Sequence, residues 1–440
     1  MVETKTIPDD CDGGKVRVLF LTQVLPYPLV GGAKIRAYYM LRYLAQAHEV
    51  TLVSFVRDDD RPEDVAHLRQ FCAAVHTVPL RRSRWQDGAA LLQSVGRRQP
   101  VVIVRDDVAA MRRLLRQLAQ ATPFDGVHAD QTAMAQYGLW AQAVAGEKRP
   151  FTILDQHNAM YVLVGRQAAL ERGARRWVWQ REARLLARYE ADLCRRYDHV
   201  LTVTAEDKAA LLRLLPAQEQ AALADKFTPL PICGDPLERP LLPLVDEGPH
   251  IIHLGTMFWP PNVEGVLWFA REVLPLILRQ TPAAHFTIVG KNPPPEVRAL
   301  AEPGAPLAGN ISVTGFVEDP APLLARSRAF IVPVRAGGGM RVKIVDGWQW
   351  GLPIVSTTIG AEGIQTRPGE NILLADDPAD FATAVGQLLG DKGLRERLRK
   401  NGRSWVETTY NWRTVYAQLD NLYTPGAPAR SPRRPSLAIS

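Results

Sequence analysis

Residues 16–55 read VRVLFLTQVLPYPLVGGAKIRAYYMLRYLAQAHEVTLVSF. The run 16–21 is short, apolar and β-branched at several positions, the composition of a buried strand. The stretch after it carries Pro26, Pro28, Gly31 and Gly32, which mark a loop. The spacing then predicts a helix over 35–47 and a second strand over 48–55. Strand, glycine-containing loop, helix and strand make a βαβ unit, and such units build parallel sheets.

The same alternation continues outward. Strands are expected at 75–78, 126–129, 151–155 and 200–203, with helices over 106–121 and 131–145. Residues 165–198 read as one long, arginine-rich helix with Trp177, Trp179 and Tyr189 interleaved. The stretch 230–248 is rich in proline and has no period, so it reads as a linker. A second series follows: strand 250–254, helix 262–279, strands 285–289, 310–314 and 329–332, a helix beginning near 343, and strand 353–356. Residues 377–400 read as a solvated helix. A last helix over 403–423 carries Trp405, Tyr410, Trp412 and Tyr416. The expected organisation is a flexible lead over 1–15, a Rossmann-like domain over 16–235, a linker over 236–248, a second Rossmann-like domain over 249–402, a final helix over 403–424, and a disordered tail over 425–440. In such sheets ligands bind outside the carboxyl ends of the strands, so the loops after strands hold the candidate residues.

Composition bounds the function. A chain of 440 residues exceeds one comfortable core, which supports two domains. The 53 Lys and Arg exceed the 46 Asp and Glu, a net +7 that suits phosphates, nucleic acid or an anionic membrane. No nucleic-acid motif accompanies the charge, so no nucleic-acid partner is expected. The four cysteines (Cys11, Cys72, Cys194, Cys233) form no CxxC pair and no zinc spacing, and read as reduced structural thiols. The first fifteen residues lack the basic-then-apolar order of a secretory signal, and no apolar run is long enough to span a bilayer. The expected location is the cytoplasm, with peripheral contact at the inner membrane face as an added expectation from the arginine-rich 165–198 stretch. Glu171, Glu182, Glu190 and Asp192 offset much of that charge, so a plain solvated helix accounts for the same residues.

Residues 330–364, FIVPVRAGGGMRVKIVDGWQWGLPIVSTTIGAEGI, carry the chemistry. A strand ends at Val332, and Gly337, Gly338 and Gly339 follow in the loop. Glycines let a backbone approach a ligand without Cβ interference. The helix that begins near Met340–Lys343 offers free N–H groups and a partial positive charge to a phosphate. Arg341 and Lys343 add full charges there, beside the backbone of Met340 and Val342. Asp346, one turn on, is placed to accept hydrogen bonds from ribose hydroxyls. A flexible loop with solvated basic residues is the bland alternative. The combination of glycines, two cations, a helix start and a downstream acid favours a phosphate-sugar site.

These residues resemble the retaining glycosyltransferases of family 4, which have the GT-B fold: two Rossmann-like domains facing each other across a deep cleft. The resemblance runs from about residue 16 to 424, and it implies that the final helix over 403–424 crosses back to the first domain. Most members carry a glutamate, seven residues, a second glutamate and a Gly-x-Pro-Val-Val element. Here Asp346 takes the second acid's place, 351–355 (GLPIV) fits the final element, and Gly338 stands where the first acid would be. A subgroup associated with exopolysaccharide synthesis carries instead Gly-Gly-Gly-x-Arg-x-Lys-Ile, which matches 337–344. The run Gly255-Thr-Met-Phe-Trp-Pro-Pro-Asn262 resembles the same subgroup's Gly-x-Met-x-Trp-Pro-Pro-Asn signature. The resemblance implies donor contacts at Gly255, Met257, Asn262, Gly290, Phe316 and Val317, and at Gly31 and Gly32 near the diphosphate and acceptor. It places His157, after strand 151–155, against the transferred sugar, with Asp130 a weaker candidate.

The function so implied is transfer of a sugar from a UDP- or GDP-sugar to a saccharide or lipid-linked acceptor, with retention, in surface polysaccharide synthesis. The catalytic residues expected are His157, Arg341 and Lys343, and no metal or other cofactor is expected. No Asp-x-Asp stands where a metal-diphosphate site would need one, and 58–60 (DDD) reads as a polar loop. Two alternatives are distinguishable. A GT-B nucleotide-sugar epimerase would act without an acceptor, and a non-catalytic homologue would bind donor without turnover.

Overall fold

The computed structural model of the chain describes residues 14–424 apart from 148, 244 and 246. Cys11, nearly all of the 1–15 lead and the whole 425–440 tail lie outside the described residues. Seven parallel strands form the first sheet: β1 (Arg17–Thr22), β2 (Glu49–Val56), β3 (Ala74–Pro79), β4 (Gly126–Asp130), β5 (Phe151–Gln156), β6 (His199–Thr202) and β7 (Phe227–Pro229), in the order β3-β2-β1-β4-β5-β6-β7. Six form the second: β8 (His250–Leu254), β9 (His285–Val289), β10 (Ile311–Gly315), β11 (Ser327–Val332), β12 (Ile354–Ser356) and β13 (Leu373–Leu374), in the order β10-β9-β8-β11-β12-β13. Both are doubly wound. Each starts at its centre, runs to one edge, then crosses to build the other half. The winding reverses between β1 and β4 and between β8 and β11, and each reversal opens a crevice at the strand ends.

Every strand expected from the sequence lies within two residues of an observed one. Central strands read clearly because helices cover both faces and the apolar run is continuous: β1 and β5 are buried almost end to end. The two unexpected strands, β7 and β13, are the far edges of their sheets and too short to show a period.

The helices needed more correction. The single basic helix expected over 165–198 is two, Met160–Leu170 and Gly173–Arg196. Glu171 and Arg172 are extended between them, and Gly173 has φ 58. The helix expected from 106 begins at Ala109, because Asp106 is taken up by tertiary bonds: its carboxylate accepts from Gln23 (2.6 Å) and Arg82 (3.2 Å). The solvated helix expected over 377–400 is also two, Pro378–Gly390 and Lys392–Thr409, and neither is merely solvated, since Phe381, Val385, Leu388 and Leu398 are fully buried. The helix Lys392–Thr409 runs unbroken past 402, so the last helix does not begin at 403. The chain turns at Tyr410, is capped by Asn411 and continues as the short helix Trp412–Tyr416.

That last segment returns to the first sheet. The Trp412 ring stacks on Tyr39 at 5.7 Å. The Tyr423 hydroxyl meets His128 Nδ1 at 2.6 Å. Burial of side chains of this size is worth about 1.5–3 kcal/mol each. The linker is packed as well. The buried Asp235 carboxylate accepts from the Trp412 indole (2.9 Å) and from Arg413 (3.0 Å), and Gly234 pairs by backbone with Asn411. Linker and C-terminal segment thus form one double crossing between the halves, and the cleft opens beside it.

Candidate active site in the interdomain cleft

The second sheet's crevice is built by the loop after β8 and the loop after β11, which ends on the helix Val342–Trp350. Arg341 caps the start of that helix. The residue is only 4% exposed. One nitrogen, Nη1, donates to the carbonyls of Gly338 and Gly339, the plane lies 5.0 Å over the Trp259 ring, and Nε and Nη2 are buried with no partner among the described residues. Lys343 Nζ donates to Asn262 Oδ1 at 2.8 Å, and Asn262 in turn donates to Thr256 O at 2.9 Å. Burial lowers the pKa of Lys343 to about 7, and nearby Arg341 adds to the effect. Burial likewise lowers Arg341 to about 10, against the opposing pull of Glu362. Buried donors without acceptors are costly, and cations forced together prefer to lose charge. An anion at this helix start would relieve both conditions.

A cleft of about 500 Å³ opens over these groups, walled by both domains. Of the residues singled out from the sequence, Gly31, Gly32, Gly255, Asn262, Gly290, Phe316, Val317, Met340, Arg341, Val342, Lys343 and Asp346 line it. Gly255 has a steric reason to be glycine: a Cβ there would lie 2.6 Å from Lys343 Nζ. Asp346 is half-buried, 3.4 Å from linker residue Arg239, and burial raises its pKa while Arg239 opposes the rise. Met257 is not in the wall: its side chain is fully buried and packs beneath Gly290. Trp259, Glu318 and Trp350 line the cleft without having been singled out. Trp259 was readable, because it sits inside the Gly255–Asn262 signature.

The first sheet's crevice holds a tight ionic cluster. Arg36, on the helix Gly32–Ala47, makes a two-pronged pair with Asp155 of β5 (Nε–Oδ2 2.7 Å, Nη2–Oδ1 2.7 Å), both side chains fully buried. His157 Nε2 lies 2.7 Å from Asp130 Oδ1 at the end of β4 and 3.6 Å from Asp155. Burial alone would lower the His157 pKa, but Asp130 and Asp155 outweigh it and raise it to about 9. Asp155 stays below the usual carboxylate range: burial would lift it, and Arg36 with His157 pulls it down. His157 therefore carries a charge near neutral pH. It lines a separate, smaller hollow with Gln23, Thr132 and Asn158 rather than the main cleft.

Gly337, Gly338 and Gly339 do not line the main cleft either. They meet the first domain. Arg166, on the helix Met160–Leu170, donates to Gly337 O at 2.5 Å and pairs with Glu362 at 3.3 Å. A Cβ on Gly338 would lie 2.7 Å from Arg166 Nη1 and 2.9 Å from Leu163, and one on Gly339, where φ is 81, would collide with Asn158 Oδ1. These glycines therefore admit the opposite domain. Arg166 from one side and Arg341 from the other hold three consecutive carbonyls of the loop.

Comparison with known proteins agrees with this geometry. Residues 248–391 match the family model described as glycosyl transferases group 1, and residues 30–222 match the one described as glycosyltransferase family 4. The chain belongs to the group 1, family 4 glycosyltransferases. It is 25% identical over 173 residues to a 44.6 kDa protein in the cps region of Klebsiella pneumoniae, covering 39% of this chain and 45% of that protein. It is 34% identical over 120 residues to the lipopolysaccharide core biosynthesis glycosyltransferase LpsE of Rhizobium meliloti, covering 26% and 34%. The matches thus span less than half the length of these curated relatives. The Anabaena protein HepE, solved with UDP, superimposes with a TM-score of 0.62 at 14% identity, over 92% of this family 4 chain and 99% of its own. WaaG, a glycosyltransferase of lipopolysaccharide biosynthesis, does so with 0.58 at 14%, over 93% and 100%. Likeness at such identity establishes the fold, GT-B with two Rossmann-like domains.

Proposed function

We propose that this protein transfers a sugar from a nucleoside-diphosphate sugar, UDP- or GDP-linked, to a saccharide or lipid-linked acceptor in surface-polysaccharide synthesis, with retention of anomeric configuration. The observation that carries the reading is the buried Arg341 guanidinium, whose Nε and Nη2 have no partner among the described residues, beside Lys343 at a helix start in the cleft. In the reaction the bond between the anomeric carbon and the diphosphate oxygen breaks, and charge grows on the departing phosphate. Arg341, Lys343 and the first N–H groups of the helix Val342–Trp350 are preorganised to stabilise it. The acceptor oxygen bonds to the anomeric carbon from the same face, and its proton passes to the departing phosphate. Asp346 is placed for the ribose hydroxyls. His157, held charged by Asp130 and Asp155, is assigned to the sugar side once the domains close. The relatives support the substrate class: HepE is solved with UDP and with UDP-glucose, and LpsE is named for lipopolysaccharide core synthesis.

Incubation with UDP- and GDP-sugars and a panel of saccharide acceptors, read by NMR at the anomeric proton, tests the reading. Release of nucleoside diphosphate matched by an acceptor glycoside of unchanged anomeric configuration is expected. Arg341→Ala or Lys343→Ala should cut turnover by about 10²–10³ each, the usual effect of removing one preorganised donor. Epimerised donor formed without acceptor, or inverted product, would contradict it.

A further inference from the structure

Glu190, on the helix Gly173–Arg196, is a fully buried carboxylate. The sequence counted it among the acids that offset the arginines of a solvated helix, but the fold takes it inside. A carboxylate in that position is costly unless its oxygens accept hydrogen bonds. Here they all come from one short segment. Oε1 accepts from the Met160 N–H at 2.8 Å and Oε2 from the Tyr161 N–H at 2.9 Å, the otherwise free donors at the start of the helix Met160–Leu170. The residue before that helix is Ala159, which has no side chain to cap it, so the cap arrives from 30 positions away. Oε1 also accepts from the Gln156 side chain at 3.4 Å, and Gln156 is held on its other side by the Thr132 hydroxyl at 2.6 Å.

The segment so gripped is the one that presents His157 and Asn158. Gln156 precedes them and Met160 follows, so one carboxylate closes an arch over 157–159. Asp207, on the helix Ala205–Leu212, holds the same arch by accepting from the Ala159 N–H at 3.0 Å. From this arch His157 reaches Asp130 at 2.7 Å, and Asn158 lies against Gly339. The helix that Glu190 caps then carries Leu163 and Arg166 to the loop 337–339 within roughly two turns. The groups that the first domain turns towards the second therefore hang from a single side chain that touches none of the cleft.

We infer that Glu190 is a positioning residue for the transfer site: its carboxylate fixes both ends of the arch that presents His157 and sets the start of the helix that carries Arg166. Reacting groups must be held to a fraction of an ångström, and their supports decide whether they are. The part played in transfer rests on the transferase reading, whereas the effect on His157 does not. Burial raises the Glu190 pKa to about 7, against the bonds from Tyr161 and Met160, and Asp207 adds to the rise. Asp207, the Tyr161 phenol and the Cys194 thiol are the titratable groups that face it.

The test is NMR titration of the His157 imidazole in protein with labelled histidine, without donor or acceptor, the signal being assigned by its loss in His157→Gln. The wild-type ring should titrate near pH 9. In Glu190→Gln, equal in length but uncharged, the arch loses an acceptor, and the value should fall by about one unit or more towards the ordinary 6.5 or so. An unmoved value in a folded variant would make Glu190 a helix cap and nothing more, and would overturn the proposal. The same variant should lose about tenfold or more in kcat with nucleoside-diphosphate Kd unchanged, because Arg341 and Lys343 lie in the other domain. Equal losses in both would also overturn it. If the variant does not fold, the wild type decides. Its His157 signal should show a second, smaller step near pH 7 as Glu190 takes up its proton. That step should persist in Lys343→Ala, which removes another group titrating there, and its absence would count against the proposal. A shifted His157 in a protein without transferase activity would sink the function and leave the positioning standing.

Discussion

Arg341 and Lys343 are cations placed where burial works against their charge. Burial lowers the pKa of Lys343 to about 7, so its proton is weakly held near neutral pH. A bound diphosphate restores its charge. Binding should therefore take up a fraction of a proton at pH 8, and affinity should fall as pH rises above about 7. Calorimetry of UDP or GDP binding at pH 8 in buffers of different ionisation enthalpy measures the uptake, and an enthalpy independent of buffer would refute it. Both cations were legible in the sequence because they share one short run with the glycines and the helix start. Arg166 and Asn158 were not. They reach the same loop from a different domain, Arg166 across 171 positions of sequence, and no local pattern encodes that approach.

At the scale of elements, the loop 337–339 acts as a joint between the domains. The sequence suggested that its glycines clear space for a ligand; in the structure Arg166 and Leu163 lie against Gly338 and Asn158 lies against Gly339. Gly339→Ala adds a Cβ at φ 81 against Asn158, a strain on the order of 1–2 kcal/mol before the collision is counted. Transfer should drop about tenfold or more while nucleoside-diphosphate affinity, set by Arg341 and Lys343 on the other side of the loop, changes less. Paired measurements of kcat and Kd check this, and equal losses in both would show that the loop serves donor binding alone. Central strands were legible to within two residues because both their faces are buried. The break at Glu171–Arg172 was not, because the arginine-rich pattern runs through it without a proline and with Gly173 as its one local signal.

Over the whole molecule, two α/β halves are held by one packed double crossing and face each other across a cleft with complementary equipment: a phosphate-seeking helix start on one side, and a carboxylate-held histidine on the other. Trp412 is the centre of the crossing, fully buried and bonded to Asp235. Trp412→Ala should destabilise the protein by about 3–5 kcal/mol, and it leaves a buried carboxylate short of a donor. Urea unfolding measures the loss, and a change below about 1 kcal/mol would mean that the crossing is not what joins the halves. The alternation of strand and helix made the two-sheet plan legible, because βαβ units dictate parallel sheets. From the residues alone the crossing was legible only as aromatic anchors, since their partners Tyr39, His128 and Asp235 lie far away in sequence; its direction came from the family resemblance.

The most direct measurement is the melting temperature of the purified chain against UDP, GDP and other nucleoside diphosphates. A ligand at a hundred times its Kd stabilises the native state by about 2.7 kcal/mol, enough for a shift of several degrees. One nucleoside diphosphate should raise the melting temperature of the wild type and leave an Arg341→Ala, Lys343→Ala variant unmoved. No rise with any of them, or an equal rise in the variant, would contradict a diphosphate site at the start of the helix Val342–Trp350.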